Sequence, residues 1–229
     1  MTSSPLTILH QDEALLIIEK PAGMPSCILR KSQEERPTVE GWLQKNFPNA
    51  RLVHRLDNDT SGLLVAAKSD AIWHQLRALW KTPKVVKKYM ALVLGRTAPS
   101  GVIDTPIAHH KRKKKKMMVG GEKARPAHTT FKTLQYFNNY SLIEVQITTG
   151  VRHQIRIHMA SVGHPIAGDR LYQKTKHKMQ DTLAKPRHCL HLCKIEFPHP
   201  LTGQPFRCKS KPTHESFTVE DSDHHPDLL

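Results

Sequence analysis

Apolar residues in this chain come in short runs whose spacing switches between strand-like and helix-like periods. Segment 6–10 and the aliphatic run at 14–18 flank a polar turn, which predicts two strands joined by a short connection. The turn residues Pro21-Ala22-Gly23 then end the second predicted strand. Further apolar segments bounded by turn residues predict strands at 63–67, 85–93, 141–149 and 189–197.

Three other segments have helical spacing. Thr38 is the expected cap of a helix over 38–47, and Ser69 caps a second stretch in which Trp73, Leu76 and Trp80 recur at helical intervals. We expect these tryptophans to pack in the core. Because helices and strands are interspersed without repeats, the pattern predicts an α/β or α+β domain with a mixed sheet.

The third helix is expected to start near Val151 and to stop at Gly163, with Ile155, Met159 and Val162 as its core stripe. Arg152 and Arg156 then stand one turn apart on another face. Like charges at this spacing repel each other. Either the arginines line an ordinary solvated face, or an anion, phosphate or carboxylate, lies opposite them; the second interpretation is slightly favoured.

Charge adds the first indication of function. The chain has 229 residues, a net charge of +15 and a pI near 9.8. All thirty-five Lys and Arg lie in residues 1–212 with fifteen of the twenty acids, so the segment 213–229 is an acidic tail. A surface this positive favours a polyanionic partner such as nucleic acid over a merely basic protein.

The most basic segment runs from His109 to Lys116, inside a stretch 109–124 that we expect to be a mobile loop because its charges repel. It is predicted to bind the phosphates of a nucleic acid; a solvated loop and a nuclear-import patch are the alternatives. Its members are Lys111, Arg112, Lys113, Lys114, Lys115 and Lys116.

The four cysteines lack the spacing of a disulfide framework, which indicates a reducing compartment. The chain also contains no run of about 18 apolar residues, the length needed to cross a membrane. We therefore expect a soluble, cytoplasmic protein. Cys189, His191 and Cys193 look like metal ligands, but on a strand they spread over about 13 Å and cannot reach one ion. Buried thiols are the better interpretation, and no metal is expected.

The segment 53–62 concentrates polar residues where packing does not require them. Asp57 stands on a turn that leads into a buried strand, a usual place for a catalytic group, and neighbouring His54 and Arg55 are expected to keep its carboxylate ionised. A plain turn residue is one alternative. A calcium loop is another, but its twelfth position would be Lys68 in place of Glu.

Ordered motifs through nearly the whole chain resemble those of the RluA family of pseudouridine synthases. The matching segments are Glu19-Lys20-Pro21-Ala22-Gly23, His54-Arg55-Leu56-Asp57-x-x-Thr60-Ser61-Gly62-Leu63-Leu64, Lys87-Lys88-Tyr89-Met90-Ala91, Arg125-Pro126-Ala127-His128-Thr129, Gly150 to His158, Gly163 to Tyr172, and Leu190 to Pro200. The resemblance implies an α+β fold with a mixed, mainly antiparallel central sheet flanked by helices and loops.

The resemblance also implies an activity: isomerisation of a specific uridine to pseudouridine in tRNA or large-subunit rRNA, after base flipping and without a cofactor. Asp57 would be the catalytic residue and Arg156 its ion-pair partner, while Arg55 would fill the gap left by the flipped uridine and Tyr89 would pack against the base. RNA binding is expected of His54, Arg152 and the basic residues 111–116.

Two features depart from the family pattern. The arginine of T-G-R-x-H-Q is displaced by one position to Arg152, and Asn58 stands where the family often has Arg. We expect a catalytic-domain-only form, residues 1–212, that is a monomer. The alternative function is a basic RNA-binding module that keeps the fold without catalysis.

Overall fold

The computed structural model describes residues 6–27, 37–183 and 185–212, together with positions 217 and 219. Its strands are β1 (Thr7–Gln11), β2 (Leu15–Lys20), β3 (Arg51–Leu52), β4 (Ser61–Ala67), β5 (Val86–Leu94), β6 (Ser100–Ile103), β7 (Ile107–His109), β8 (Met117–Val119), β9 (Thr129–Tyr136), β10 (Tyr140–Ile147), β11 (Leu190–Pro198) and β12 (Pro205–Lys209). Its helices are α1 (Val39–Asn46), α2 (Asp70–Leu79), α3 (Gln154–Ser161) and α4 (Thr175–Gln180).

One large sheet organises the described part of the chain. Its strand order is β1-β2-β4-β11-β5-β10-β9-β6, with β12 added to β11 and β3 to β4. Among the described strands, only β4 and β11 pair in parallel, through His191↔Ser61 and Leu192↔Gly62. The structure therefore confirms a mixed, mainly antiparallel sheet.

The parallel pair places the start of β4 deep in the molecule. All seven residues of β4 are buried, because the strand lies between β2 and β11. Gly62 has φ +115, and a Cβ atom there would lie only 2.3 Å from the carbonyl oxygen of Leu192. Glycine thus allows the two backbones to approach where β4 begins, directly after the loop that carries Asp57.

The first two predicted helices are confirmed with their caps. Thr38 accepts a hydrogen bond from the Gly41 N–H at the start of α1, and Ser69 accepts one from the Ile72 N–H at the start of α2. Each cap satisfies a backbone donor that the helix leaves without a partner. The tryptophans are partly buried and pack against the core, as expected.

The third helix starts later than the sequence predicts. The Gln154 side chain accepts hydrogen bonds from the Val151 N–H and the Thr149 hydroxyl, which hold residues 149–153 outside the helix. The helix also ends at Ser161, so Val162 lies outside the predicted core stripe and is 46% exposed. The expectation of a start near Val151 and of a buried Val162 was wrong.

The basic residues 110–116 form the connection between two short strands, β7 and β8. Strands β7 and β8 pair in a separate two-stranded sheet, from Ile107↔Val119 to His109↔Met117. Met117 is buried in a small cluster with Ile107 and Tyr172. We call β7, β8 and the connecting residues 110–116 the basic hairpin.

Three further expectations concern the acidic tail, the cysteines and membrane-spanning segments. The predicted acidic tail, 213–229, lies outside the described residues except for Phe217 and Val219, which pack against the core. All four cysteines are free; Cys189 is buried, whereas Cys193 is only partly so. In the described ranges, no helix has the length and apolarity needed to span a membrane.

Candidate active site

Asp57 lies on the loop between β3 and β4, and hydrogen bonds to backbone carbonyl groups hold this loop in place. Its carbonyl oxygen accepts a hydrogen bond from the Thr60 N–H. The buried ammonium of Lys20 donates to the carbonyl oxygens of Asn58, Pro21 and Met24 at 2.7–2.8 Å. Lys20 therefore ties the Asp57 loop to the end of β2. This role of Lys20 was not expected from the sequence, although the residue belongs to the Glu19–Gly23 motif.

Arg156 joins two carboxylates. Its Nε and Nη2 donate to the two oxygens of Asp169 at 2.7 and 2.9 Å, and its Nη1 donates to Asp57 Oδ2 at 3.0 Å. The predicted pairing of Arg156 with Asp57 is confirmed. A carboxylate is thus the anion opposite Arg156, whose side chain is buried and does not share a solvated helix face with Arg152.

Asp169 is the functional residue that the sequence analysis missed most clearly. Its side chain is completely buried, and besides Arg156 it accepts hydrogen bonds from the backbone N–H groups of Leu171 and Tyr172. Because Nε and Nη2, on one edge of the guanidinium, are both engaged by Asp169, the remaining nitrogen Nη1 is held in the direction of Asp57. The aspartate of the Gly163–Tyr172 motif was the available signal.

The site keeps the Asp57 carboxylate ionised. Burial acts to raise the pKa of Asp57, but the positive charges of His153, when protonated, and of Arg156, together with the hydrogen bond from Arg156, hold that pKa below 3.8. His153 itself is neutral at pH 7, because burial lowers its pKa to about 4. At pH 7 the positive charge that keeps Asp57 ionised is therefore that of Arg156.

His54 and Arg55 do not supply that charge, so the expectation that they keep Asp57 ionised was wrong. His54 Nε2 accepts a hydrogen bond from the Val65 N–H, and its ring stacks on Trp80. Burial and the nearby cations Lys87 and Arg77 lower the pKa of His54 to about 3, so the ring is neutral. The exposed Arg55 contacts Cys27 Sγ at 3.5 Å.

The aromatic side of the site comes from β5 and from the segment after α3. Tyr89 is buried on β5, and burial together with the negative charge of Asp57 raises the pKa of its hydroxyl, so it remains protonated. His153 Nε2 lies 3.8 Å from Asp57 Oδ2, and its Nδ1 is hydrogen-bonded to the Tyr172 hydroxyl at 2.8 Å. Neither His153 nor Tyr172 was assigned a role from the sequence.

The predicted RNA-binding residues divide into two groups. Arg152 and residues 111–115 are exposed, with Lys116 half-buried, whereas His54 is engaged in the internal contacts described above.

His191, considered as a metal ligand from the sequence, is hydrogen-bonded through both ring nitrogens to the hydroxyls of Ser61 and Ser210. Among the described residues, no group of three or more His, Cys, Asp or Glu side chains could hold a metal ion.

Comparison with known proteins gives a consistent result. Residues 14–161 match the family model described as RNA pseudouridylate synthase. The chain is 36% identical over 212 residues to ribosomal large subunit pseudouridine synthase D of Nitrosomonas europaea, covering 87% of this chain and 60% of that protein. It is 32% identical over 207 residues to the dual-specificity RNA pseudouridine synthase RluA of Escherichia coli (strain K12), covering 90% and 92% of the two chains.

Solved structures agree with these sequence matches. The human protein described as RNA Pseudouridylate Synthase Domain Containing 4 superposes with a TM-score of 0.70 at 27% identity, over 91% of this chain and 90% of that one. Human RNA Pseudouridylate Synthase Domain Containing 1 has a TM-score of 0.74 at 23% identity, over 90% of this chain and 83% of that one, and shows the same fold.

Proposed function

Because this chain belongs to the RluA family of RNA pseudouridine synthases, we propose that it converts a specific uridine of tRNA or large-subunit rRNA into pseudouridine, with Asp57 as the catalytic carboxylate. The observation that carries the proposal is the Asp169–Arg156–Asp57 arrangement. It presents one ionised, oriented and partly exposed carboxylate on the loop that leads into the fully buried strand β4.

The reaction needs such a group. It breaks the N1–C1′ bond of the uridine, turns the uracil and joins C5 to C1′; C5 loses its hydrogen as a proton and N1 regains one, so no atoms are added or removed. Asp57 acts either as nucleophile or as base, and both roles require the charged form that Arg156 maintains. In this scheme Tyr89 packs against the uracil ring.

The target base must leave its stack before it can reach Asp57, which costs a few kcal/mol and favours uridines in loops. We propose that Arg55, which is exposed on the same loop two residues before Asp57, fills the space that the base leaves. Arg152 and the basic hairpin would hold the neighbouring phosphates.

Release of tritium tests this function. RNA labelled with ³H at C5 of uridine is isolated from cells that lack the gene and is incubated with the protein. An isomerase releases the label to water, because C5 loses its hydrogen. If the protein binds this RNA but releases no label, the alternative of an inactive RNA-binding module is correct.

Neutralising the tip of the basic hairpin is expected to weaken RNA binding and to flatten its salt dependence. Lys113 and Lys114 are exposed there, and each phosphate contact contributes about 0.7–0.9 to the slope of log K against log salt. We expect the double substitution Lys113→Ala/Lys114→Ala to reduce that slope by up to about 2. Fluorescence anisotropy over a salt series provides the measurement.

A matched control is available at the far end of the sheet. Lys81 and Lys84 are exposed residues that precede β5, whose first pair, Val86↔Glu196, lies at the opposite end of β11 from Ser61↔His191. Replacing both with Ala removes the same charge. A slope that falls equally in the two double variants would show that the basic hairpin has no special role.

The dependence of the reaction rate on pH is expected to be flat on the acid side until about pH 4. Asp57 has a pKa below 3.8 because Arg156 opposes the effect of burial, so it loses its charge only under strongly acidic conditions. Burial lowers the pKa of both His153 and His188 to about 4, so neither charges earlier. Single-turnover rates measured from acid to neutral pH check this; an acid limb centred near pH 6 would contradict it.

A further inference from the structure

We propose that His153 and Tyr172 are positioning residues that couple the basic hairpin to the Asp57 carboxylate, so that RNA held by the hairpin sets the rate of the reaction as well as affinity. The inference rests on the proposed function. It concerns two residues that stand between the RNA-binding surface and the reacting group.

A chain of short contacts joins the two regions. The Tyr172 hydroxyl accepts a hydrogen bond from the backbone N–H of Met117, the first residue of β8, at 2.9 Å. The same hydroxyl is hydrogen-bonded to His153 Nδ1 at 2.8 Å. The opposite ring nitrogen, Nε2, lies 3.8 Å from Asp57 Oδ2. One phenol and one imidazole therefore span the distance from the hairpin backbone to the catalytic oxygen.

The backbone of His153 is held in an unfavourable conformation that directs its ring into the site. It has φ 56 and ψ 20, in the left-handed region, immediately before α3. For a non-glycine residue this costs about 1–2 kcal/mol, and such conformations persist where the surroundings impose them. Here the contacts of Gln154 with Thr149 and Val151 impose it. Nothing in the helix itself requires a histidine at this position.

One cation from each of the two regions also lies near the ring of Tyr172. Lys116 of the hairpin lies over this ring at 5.9 Å and Arg156 of the catalytic site at 5.3 Å from the centroid. The Tyr172 N–H, moreover, donates to Asp169, the anchor of Arg156. A shift of β8 would therefore move the hydroxyl of Tyr172 and change the packing around Arg156.

His153 suits a positioning role better than a role as a second cation. Because burial lowers its pKa to about 4, it is uncharged at pH 7 and leaves the charge balance of Asp57 to Arg156. The groups that face it are Asp57 on the loop before β4, Arg152 beside it, Arg156 on α3, and Tyr172 and Asp169 after α3. Its ring thus limits the positions open to the carboxylate that Arg156 holds.

Tyr172→Phe tests the coupling, since it removes the hydroxyl and keeps the ring. We expect the single-turnover rate at saturating enzyme to fall by about tenfold or more, while the RNA dissociation constant stays within about twofold. Tyr136→Phe is the matched control, because its hydroxyl also makes one backbone contact, to Thr97 O, but on β9 away from the site. It should change neither quantity.

The second arm asks whether the hairpin acts through Tyr172. In the otherwise unchanged protein, Lys113→Ala/Lys114→Ala should weaken binding and also slow the saturated reaction. In the Tyr172→Phe background, the same change should weaken binding but slow the saturated reaction no further, a non-additive result. Equal slowing in both backgrounds would overturn the proposal.

A variant of His153 covers the case in which Tyr172→Phe folds poorly, as judged by its melting temperature. Asn tolerates the left-handed backbone, so His153→Asn removes the ring without releasing the turn. It should slow the reaction and leave RNA binding unchanged; an unchanged rate overturns the coupling while the proposed function stands. If the wild-type protein releases no tritium, the proposed function fails first, and this inference with it.

Discussion

Asp57→Asn is expected to abolish pseudouridine formation while the protein still folds and binds RNA. The amide cannot act as nucleophile or base, so the single-turnover rate should fall by at least about 10⁴-fold, the size of effect seen when an essential catalytic group is removed. The amide oxygen can still accept the hydrogen bond from Arg156 Nη1, and Asp169 still neutralises the guanidinium. Tritium release, RNA anisotropy and thermal unfolding measure the three properties.

Asp59→Asn is the matched control for this substitution. Asp59 lies two residues further along the same loop, and its carboxylate contacts Asn58 rather than Arg156. The two variants lose the same charge, so any general effect of charge on RNA binding appears in both. Comparable activity in the two variants would mean that Asp57 has no special role.

Arg156→Met is expected to cost about 3–5 kcal/mol in the free energy of unfolding at pH 7 and to abolish activity. The substitution leaves the carboxylate of Asp169 completely buried without its cation, and its remaining donors among the described residues are the backbone N–H groups of Leu171 and Tyr172. Urea unfolding measures the loss. Arg152→Met is the control, since Arg152 is exposed and its loss leaves no buried charge.

The pH dependence of this cost follows from the sign of the pKa shift. Burial acts to raise the pKa of Asp169, but its hydrogen bonds and ion pair with Arg156 hold it below 3.8, so the carboxylate stabilises the wild-type fold above about pH 4 and this contribution is lost as pH falls. Without Arg156, burial raises the pKa of Asp169. The stability difference between the two proteins should therefore be largest near neutral pH and should shrink in acid. A difference that is constant with pH would contradict this explanation.

Arg156→Lys separates charge from geometry. Lysine keeps the positive charge, but a single ammonium cannot reproduce the bidentate pairing with Asp169 and also reach Asp57. Most of the stability should return, whereas the activity should remain well below that of the wild type. Full activity in this variant would show that charge alone positions Asp57.

Local features of the fold could be predicted from the sequence because short-range rules govern them. The caps at Thr38 and Ser69 and the apolar run of β4 each depend on a few neighbouring residues. The parallel contact of β4 with β11 could not be predicted, because it joins segments 130 residues apart. The predicted start of α3 was wrong because polar side-chain contacts do not appear in the apolar periodicity. Gln154 binds Thr149 and Val151 within the same segment, and its Nε2 is held by tertiary hydrogen bonds to His128 O and Thr129 Oγ1.

The site shows the same division. The loop position of Asp57 follows from turn residues before an apolar run, and its pairing with Arg156 followed from family resemblance. Spacing alone placed Arg152 and Arg156 on one helix face opposite an anion. It could not show that the anions are the carboxylates of Asp169 and Asp57, or that Arg152 lies before the helix. The expectation that His54 keeps Asp57 ionised was wrong for a related reason: the stacking of His54 on Trp80 depends on α2 packing against β4.

Pseudouridine mapping in cells tests the central claim most directly. Total RNA is compared between cells that lack the gene and the same cells complemented with the wild-type gene or with Asp57→Asn at equal protein level. We expect at least one uridine that is isomerised only when the wild-type protein is present. If Asp57→Asn restores the same modification, the assignment of Asp57 as the catalytic carboxylate is wrong.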